Sequence, residues 1–415
     1  MMSPIEIMSP AGSYESLMAA INAGAGSVYF GVGALNMRSR SAANFTLDDL
    51  QQITDICHEH NVKTYLTVNT IVYNDEIAQA HELLDTAKRC KVTAIIASDM
   101  AVIQYAQQIG LEIHLSTQCN VTNVEALRFY AQFADVVVLG RECTLKQVAD
   151  ICAAVREQNI TGPKGELVKV EMFVHGALCM AVSGKCYLSL DNFNSPANRG
   201  ACMQPCRHAY KVQDVDSGTE MLVDNPYIFS PKDLCTIGFL DKIVKAGVSI
   251  LKIEGRGRAP EYVKVATQCY HEALKAIEEG TFNQEKTEQW MTRLRSVYNR
   301  GFWGGYYLGR TMGEWSERYG SQATRRKQHI GKITNYYGNI SVAEICLEEE
   351  FLEVGEEILI IGSTTGVYED TVREIRLDLD PVQRAEKGSY CSIPVKELVR
   401  RGDQIYKWIT VEDEF

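Results

Sequence analysis

No run of about eighteen consecutive apolar residues occurs in this 415-residue sequence, which argues against a transmembrane helix. The opening residues, MMSPIEIMSPAGS, lack a basic segment followed by a long apolar run, so a secretory signal is not expected either. We therefore predict a cytoplasmic protein without a membrane partner. Apolar residues make up 46% of the chain and charged residues 23%, which is typical of a globular protein with a full core.

An excess of positive charge is also missing, because the formal net charge is −11. This balance argues against a nonspecific grip on nucleic acid, although it leaves room for a local basic groove. The run from Arg325 to Lys327, with His329, is one candidate for such a groove, and Arg256 with Arg258 is another. Each is more typical of an ordinary solvated surface.

Two common hydrolase motifs are absent as well. The sequence contains neither a GxSxG nucleophile elbow nor an HExxH zinc motif. A peptidase would need a less usual pair, either Cys179 with His175 or Ser116 with His114. The first pair requires a thiol that holds no metal, and the second has no obvious acid beside it, so neither is favoured.

Short apolar runs alternate with amphipathic stretches through the first 255 residues. Runs rich in β-branched residues that alternate with helices indicate βαβ units and a parallel sheet. The eight predicted strands cover residues 5–8, 27–30, 63–67, 94–97, 112–115, 135–139, 169–174 and 249–253. The helices between them cover 14–23, 47–60, 75–88, 100–108, 123–132 and 145–158. This order predicts an α/β fold, a closed (β/α)8 or TIM-like barrel.

The unit after the seventh strand departs from this alternation. Residues 176–235 are rich in Cys, Asn, Ser, Gly and Pro, which predicts an inserted lobe. The loops at the C-terminal ends of barrel strands carry the chemistry of such folds. We predict a barrel at 1–258 that includes this Cys-rich lobe, a helical extension at 259–325 and a small antiparallel β-barrel module at 326–415. The module either binds nucleic acid or a protein partner, or caps the structure.

Thirteen cysteines is a high count for a reducing compartment, where structural disulfides are rare. Four of them lie within 28 residues, namely Cys179, Cys186, Cys202 and Cys206. Four thiolates can hold a [4Fe–4S] cluster or a zinc ion, and the six residues inside the first pair are wide for a zinc knuckle. This spacing favours the cluster. Cys235 is interpreted as a bystander at the start of a helix, with Asp233 as its N-cap.

The residues around these cysteines also follow a known pattern. The matching positions are Glu171, Phe173, Gly176, Ala177, Leu178, Cys179, Gly184, Cys186 and Ser189. Further matches are SPAGS at 9–13, VYFG at 28–31, LSTQ at 115–118, SPKDL at 230–234 and KIEGR at 252–256. Together they resemble the collagenase-like peptidase family of unassigned mechanism. The resemblance covers about residues 4–320, and the tail resembles the accessory β-module of the same family.

The resemblance implies one of several activities. Some members are labelled peptidase or collagenase, whereas others are oxygen-independent hydroxylases with a [4Fe–4S] cluster that act on RNA or on a ubiquinone precursor. The chain is most similar to the branch that forms 5-hydroxyuridine at the wobble position of transfer RNA. That branch's four cluster positions match Cys179, Cys186, Cys202 and Cys206. Four thiolates would fill all four irons, which favours electron transfer or substrate polarisation over an open iron site.

The implied partners are transfer RNA and a small-molecule oxygen donor, prephenate, which serves as co-substrate in the RNA branches. A paralogous protein partner is a further expectation, since related proteins work as hetero-oligomers. The alternatives left open are a peptidase, a ribosomal-RNA cytidine hydroxylase and a non-catalytic iron–sulfur subunit. The ribosomal-RNA branch carries a longer C-terminal extension that this sequence lacks.

Polar residues follow several predicted strands, at the ends that line the pocket of a barrel. The predicted substrate-binding residues are Arg38, Asn69, Ser116 and Gln118, and the predicted catalytic residues are Arg141, His175, Glu254 and Arg256. Arginine binds carboxylates bidentately, so Arg141 and Arg256 are the best candidates for gripping a dianion. The alternative for each is a structural salt bridge, with Glu142 or Glu254. Candidate stacking partners for a flipped base are Tyr29, Phe302, Trp303, Tyr306 and Tyr307.

Overall fold

The computed structural model describes residues 5–40, 44–218, 220–221, 225–309 and 314–411. Its first part alternates strands and helices, as the periodicity predicts. The strands are β1 (Glu6–Pro10), β2 (Ser27–Gly31), β3 (Lys63–Val68), β4 (Ala94–Ala97), β5 (Glu112–Leu115), β6 (Val136–Val138) and β7 (Lys169–Gly176). The helices are α1 (Tyr14–Asn22), α2 (Asp49–Glu59), α3 (Ile77–Arg89), α4 (Met100–Gln108), α5 (Val124–Tyr130) and α6 (Leu145–Glu157).

The Cys-rich lobe follows β7 and contains little regular structure. Its elements are the helix α7 (Leu188–Phe193) and the paired strands β8 (Val212–Gln213) and β9 (Glu220–Met221). Strand β10 (Asp233–Cys235) then runs antiparallel to the end of β7, and α8 (Leu240–Ala246) leads to β11 (Ile250–Ile253). The interpretation of Cys235 as a helix start is therefore wrong, because Asp233 and Cys235 belong to a buried strand.

Strand β11 closes the barrel, since it pairs in parallel with both β1 and β7. The predicted (β/α)8 barrel is confirmed. The next helix, α9 (Pro260–Glu278), packs against α1 and β1 and so completes the outer layer of helices. Helix α10 (Gln284–Arg295) packs on α9, and β12 (Phe302–Trp303) joins β10. Residues on both sides of the predicted boundary at 258 thus share one apolar core.

An extra residue in β7 changes the direction of its last side chain. In the register with β11, Phe173 lies opposite Lys252 and His175 lies opposite Ile253, so Val174 has no counterpart of its own. A β-bulge of this kind re-aims the side chains that follow it. Phe173 consequently borders the pocket inside the barrel, whereas His175 points outward, to aromatic rings of α9.

The C-terminal module is an eight-stranded antiparallel sheet, plus one short two-stranded pair, around an apolar core of its own. Its strands are β13 (Arg325–Tyr337), β14 (Val342–Leu347), β15 (Leu352–Glu353), β16 (Glu357–Gly362), β17 (Gly366–Thr371), β18 (Ile375–Leu377), β19 (Asp380–Val382), β20 (Arg384–Ala385), β21 (Tyr390–Pro394) and β22 (Gln404–Thr410). The predicted antiparallel module is confirmed.

Part of the basic run that begins at Arg325 holds this module together and fastens it to the barrel. Arg325 pairs with Glu357 of β16 at 2.7 Å, and Lys327 pairs with Glu261 of α9 at 2.9 Å. These two cations are therefore engaged within the protein rather than forming a free nucleic-acid groove. In the part of the chain that the structure describes, no helix has the length and apolar character to cross a bilayer.

Gly176, the last residue of β7, is required by its surroundings. Its φ is 103°, and a Cβ there would overlap the carbonyl oxygen of Glu254 and lie 2.9 Å from the hydroxyl of Tyr262. We expect Gly176→Ala to lower the free energy of unfolding by about 2–4 kcal/mol, through backbone strain and overpacking. Urea denaturation measures this loss. Gly33→Ala is the matched control: its φ is also positive, at 57°, but no atom lies within 4 Å. It should cost about 1 kcal/mol, and equal losses would contradict the overlap.

Candidate active site

A cavity with an empty volume of about 890 Å³ opens at the C-terminal ends of the barrel strands. Its charged and polar lining includes Arg38, Asn69, Ser116, Gln118, Arg141, Cys179, Cys186, Cys202, Lys252, Glu254 and Arg256. The structure thus brings together seven of the eight predicted substrate-binding and catalytic residues, and it places three of the four cysteines beside them. We call this space the mouth cavity.

His175 is the predicted residue that lies elsewhere. The bulge in β7 turns it away from the mouth cavity, and it is surrounded by the rings of Tyr262, Tyr270 and Phe302 at 5.5–5.9 Å. Burial, with a smaller contribution from the positive charge of Arg258, lowers the pKa of His175 to about 3. A neutral, enclosed imidazole has no route to a substrate in the mouth cavity, so we leave His175 out of the catalytic set.

Of the proposed stacking aromatics, Tyr29 lines the mouth cavity. Trp303 and Tyr307 are buried, and the hydroxyl of Tyr307 donates to the carbonyl oxygen of Phe173 at 2.8 Å. Both therefore serve the core around β7 rather than a ligand.

Cys206 borders a second cavity, of about 750 Å³, whose lining also includes Cys179 and Cys202. Arg207 ties this region together. Its guanidinium donates to the carbonyl oxygens of Leu178 and Pro231, each at 2.7 Å, so it links the loops on both sides of the cysteines. The four cysteines consequently lie between the mouth cavity and this second cavity.

The cysteines are close enough to influence one another's ionisation. Burial raises the pKa of Cys206 to about 11, opposed by the charge of Arg207 and reinforced by negative charge on Cys179, Cys202 and Cys186. Burial likewise raises the pKa of Cys202, and negative charge on Cys179 and Cys186 adds to that effect. The thiols are therefore neighbours that hold their protons until a metal displaces them.

Their spacing distinguishes between the two metal centres. Across the described ranges, no three His, Cys, Asp or Glu side chains are close enough together to hold one metal ion. Around a tetrahedral zinc, bonds of about 2.3 Å bring the sulfurs within roughly 3.8 Å of one another. In a [4Fe–4S] cluster each thiolate binds a different iron, so the ligands stand farther apart. Neighbouring but not convergent thiols fit the cluster better than zinc.

The arginines of the mouth cavity have different partners. Glu254 accepts hydrogen bonds from Arg38, at 2.6 and 3.1 Å, so its salt bridge is with Arg38 rather than with Arg256. Arg256 donates instead to the hydroxyl of Thr67 at 2.8 Å and to the amide oxygen of Asn36 at 3.0 Å.

Arg141 also donates to neutral oxygens, the carbonyl of Ala177 at 3.3 Å and the hydroxyl of Ser183 at 3.0 Å, and it lies over the ring of Phe173. The hydrogen bonds of Arg141 and Arg256 thus leave the positive charge of both guanidiniums available to an anion.

The amides and hydroxyl of the predicted substrate-binding set form one cluster. Asn69 accepts from the backbone N–H of Met37 at 3.1 Å and donates to the side-chain oxygen of Gln118 at 3.5 Å. Ser116 donates to the same oxygen of Gln118. This arrangement presents neutral hydrogen-bonding groups on one wall of a cavity whose other wall carries the cations.

The barrel interior below the mouth cavity contains charged groups that the sequence analysis missed. Lys252 Nζ lies 2.8 Å from Glu171 Oε1, and Glu171 Oε2 lies 3.3 Å from His114 Nδ1. His114 Nε2 is in turn 3.6 Å from Glu112, which pairs with Lys164 near the opposite end of the barrel. We call this series the axial charge chain. The signal in the sequence is a single charged residue inside each apolar strand, Glu171 in VEMFV and Lys252 in ILKIE.

The pKa of Glu254 predicts a pH dependence. Burial alone would raise that pKa, but the charge and hydrogen bonds of Arg38 lower it from 4.5 to about 2. The ionised carboxylate therefore stabilises the fold above about pH 4.5, by on the order of 3 kcal/mol, and this contribution is lost as the pH falls towards 2.

Urea denaturation of metal-free protein at a series of pH values tests this. Glu254→Gln should flatten the dependence of stability on pH between about 2 and 4.5. Glu125→Gln is the control, because that carboxylate is 80% exposed and pairs with Arg128 at the surface. An unchanged slope for Glu254→Gln would contradict the lowered pKa.

The sequence matches the profile of peptidase family U32 over residues 12–317, which cover the barrel, the Cys-rich lobe and α9–α10. The chain belongs to peptidase family U32. A U32 relative named "Collagenase" from Porphyromonas gingivalis is 56% identical over 403 residues, or 97% of each chain. Another, named "tRNA hydroxylation protein P" from Helicobacter pylori, is 34% identical over 320 residues, or 74% of this chain and 73% of the relative.

A third relative, named as a 23S rRNA 5-hydroxycytidine synthase from Escherichia coli, is 34% identical over 274 residues. The match covers 66% of this chain but only 40% of that protein. The names of these U32 relatives thus divide between peptidase and RNA hydroxylation, and both describe enzymes.

Proposed function

We propose that this U32 protein is a [4Fe–4S] RNA hydroxylase that converts the wobble uridine of transfer RNA into 5-hydroxyuridine, with prephenate as the oxygen donor and without O2. The observation that carries the proposal is the position of the four cysteines, which border the same barrel mouth as a group of cations. The relatives named for RNA hydroxylation support the reaction class, and the choice of transfer RNA rests on sequence similarity.

In this proposal Cys179, Cys186, Cys202 and Cys206 hold the cluster. When bound, the cluster would supply a redox-active centre beside the mouth cavity. Arg38 is positioned between this centre and the pocket, since its positive charge acts on Cys202 and on Glu254 alike. Cationic side chains at this position would balance negative charge on the thiolates.

Arg141 and Arg256 bind the co-substrate in this proposal. Both guanidiniums make hydrogen bonds to neutral groups, and together with Lys252 they leave the lining with more positive than negative charge. A small dianion with two carboxylates suits this arrangement, because arginine binds a carboxylate through paired hydrogen bonds. The amides of Asn69 and Gln118, on the other wall, are available to the polar edge of a uracil ring.

Lys252 holds the proton that the reaction needs at its Nζ atom. The ammonium group lies 4.7 Å from the ring centre of Tyr29 and 5.5 Å from that of Phe173, and Glu171 keeps it charged and oriented. A positioned ammonium group of this kind can act as a general acid towards a ligand in the mouth cavity.

Peptidase activity is the second candidate, because one relative carries the name "Collagenase". The two nucleophile–base pairs considered from the sequence are not formed in the described structure. His175 faces away from the mouth cavity that Cys179 lines, and Ser116 donates to Gln118 while His114 contacts Glu112 and Glu171. The geometry therefore favours hydroxylation.

Nucleoside analysis of transfer RNA tests the proposal. A strain that lacks this protein and any redundant pathway should lose 5-hydroxyuridine, and a plasmid copy of the gene should restore it. Anaerobic protein with added prephenate should then form the nucleoside on undermodified transfer RNA. Unchanged 5-hydroxyuridine in the deletion strain would reject the assignment, and hydrolysis of gelatin by iron-free protein would favour the peptidase.

A further inference from the structure

A third cavity continues outward from the cysteine region. It has an empty volume of about 780 Å³, within the range of ligand pockets, and it lies between the Cys-rich lobe and the segment 298–320. Gln204, Arg207 and Arg300 line both this cavity and the one beside Cys206. A ligand that extends from the cysteines towards the surface would therefore pass through it. We call it the outer cleft.

The outer cleft concentrates positive charge in a protein whose net charge is −11. Arg207, Arg300 and Arg318 line it together with His208. Arg300 lies 3.4 Å from the buried carboxylate of Asp233, which offsets one of these charges. Burial, and then the like charge of Arg300, lowers the pKa of Arg207. Two cations held this close to each other form a favourable place for an anion.

Aromatic surface lies beside these cations. Tyr319 lines the outer cleft and is 68% exposed. Tyr298 lines it too, with the guanidinium carbon of Arg258 3.7 Å and that of Arg300 5.3 Å from its ring centre. A flat exposed ring next to arginines is the combination that proteins use to stack a base while holding its phosphate.

We propose that the outer cleft binds the phosphate and base of a nucleotide adjacent to the target base in a single-stranded RNA loop. This inference rests on the proposed function and adds to it the place where the flanking strand lies. The arginines hold the phosphate, and Tyr319 stacks on the flanking base. An acidic peptide would use the charges but would offer no ring to Tyr319, so the aromatic surface favours RNA.

Fluorescence anisotropy with the full-length protein and a labelled RNA hairpin that carries a uridine in its loop tests the inference. Tyr319→Ala should weaken binding at least fivefold, and Tyr319→Phe should not, because the ring is what stacks. Arg318→Gln should reduce the slope of log Kd against log salt concentration by about 0.7. Both positions are exposed, so the variants should fold.

Tyr390→Ala and Arg373→Gln are matched controls in the C-terminal module, with exposures of 62% and 63%. They should change binding less than twofold. If the hairpin binds but the cleft variants behave like these controls, the inference is overturned while the proposed function stands. If the hairpin does not bind the wild-type protein at all, the proposed function itself fails. Displacement of the hairpin by a polyglutamate peptide, with loss of that effect in Tyr319→Ala, would overturn the inference in favour of an acidic protein partner.

Discussion

Cys202→Ala protein, purified without oxygen, is expected to lose the iron that wild-type protein should carry, about four atoms per chain. Cys202 lines both the mouth cavity and the cavity of Cys206, so it lies at the centre of the ligand set. Removing its thiolate leaves one iron without a protein ligand, and hydroxylation should fall at least a hundredfold. Iron analysis, the visible absorption spectrum and nucleoside formation measure the three effects.

Cys235→Ala provides a matched control for this loss. Cys235 lies in the same stretch of sequence, but it is buried in β10 and its sulfur contacts the sulfur of Met291 at 3.6 Å. Its replacement should leave the iron content unchanged. Loss of iron from Cys235→Ala, or full iron in Cys202→Ala, would show that the ligand set is wrong.

Lys252→Met is expected to abolish hydroxylation and to destabilise the fold, while the protein keeps its iron. The general-acid role assigned to Lys252 is worth about 10²–10⁴ in rate. The side chain of Glu171 is fully buried, and without Lys252 its carboxylate loses its ion-pair partner inside the barrel. Breaking a buried pair from one side costs about 3–5 kcal/mol. Single-turnover assays and urea denaturation measure the two losses.

A double variant separates the two effects. Glu171→Gln removes the charge that Lys252→Met leaves unpaired, so the combination should recover most of the stability lost by Lys252→Met alone. Activity should stay low, because the proton donor is still missing. Recovery of activity together with stability would mean that Lys252 acts through packing only and is not the acid.

The barrel could be predicted because every strand and helix has its own local signal. Short β-branched runs alternate with amphipathic helices, and each predicted strand is found within a few residues of its position. The assignment of Asp233–Cys235 to a helix start failed because a strand of three residues has no periodicity to detect. Its conformation is set by pairing with the end of β7, a tertiary contact that lies outside the local sequence.

The candidate site was predictable in its members but not in their pairing. Rules for strand ends and the resemblance located the cysteines, the arginines and the amide cluster. The direction of His175 depends on the unpaired Val174, and a bulge leaves no mark in the composition of a strand. Likewise, Arg38 is separated from Glu254 by 216 positions, so no spacing could identify it as the ion-pair partner in place of Arg256.

The axial charge chain also limits how this protein can change over generations. Because His114, Glu171 and Lys252 neutralise one another where water is scarce, a change at one of them is harmful until a second follows. Single steps are therefore closed to drift, and descendants should retain the trio intact or exchange it as a set. Pairwise covariation among homologous sequences at these three positions should stand out above that of the apolar residues around them.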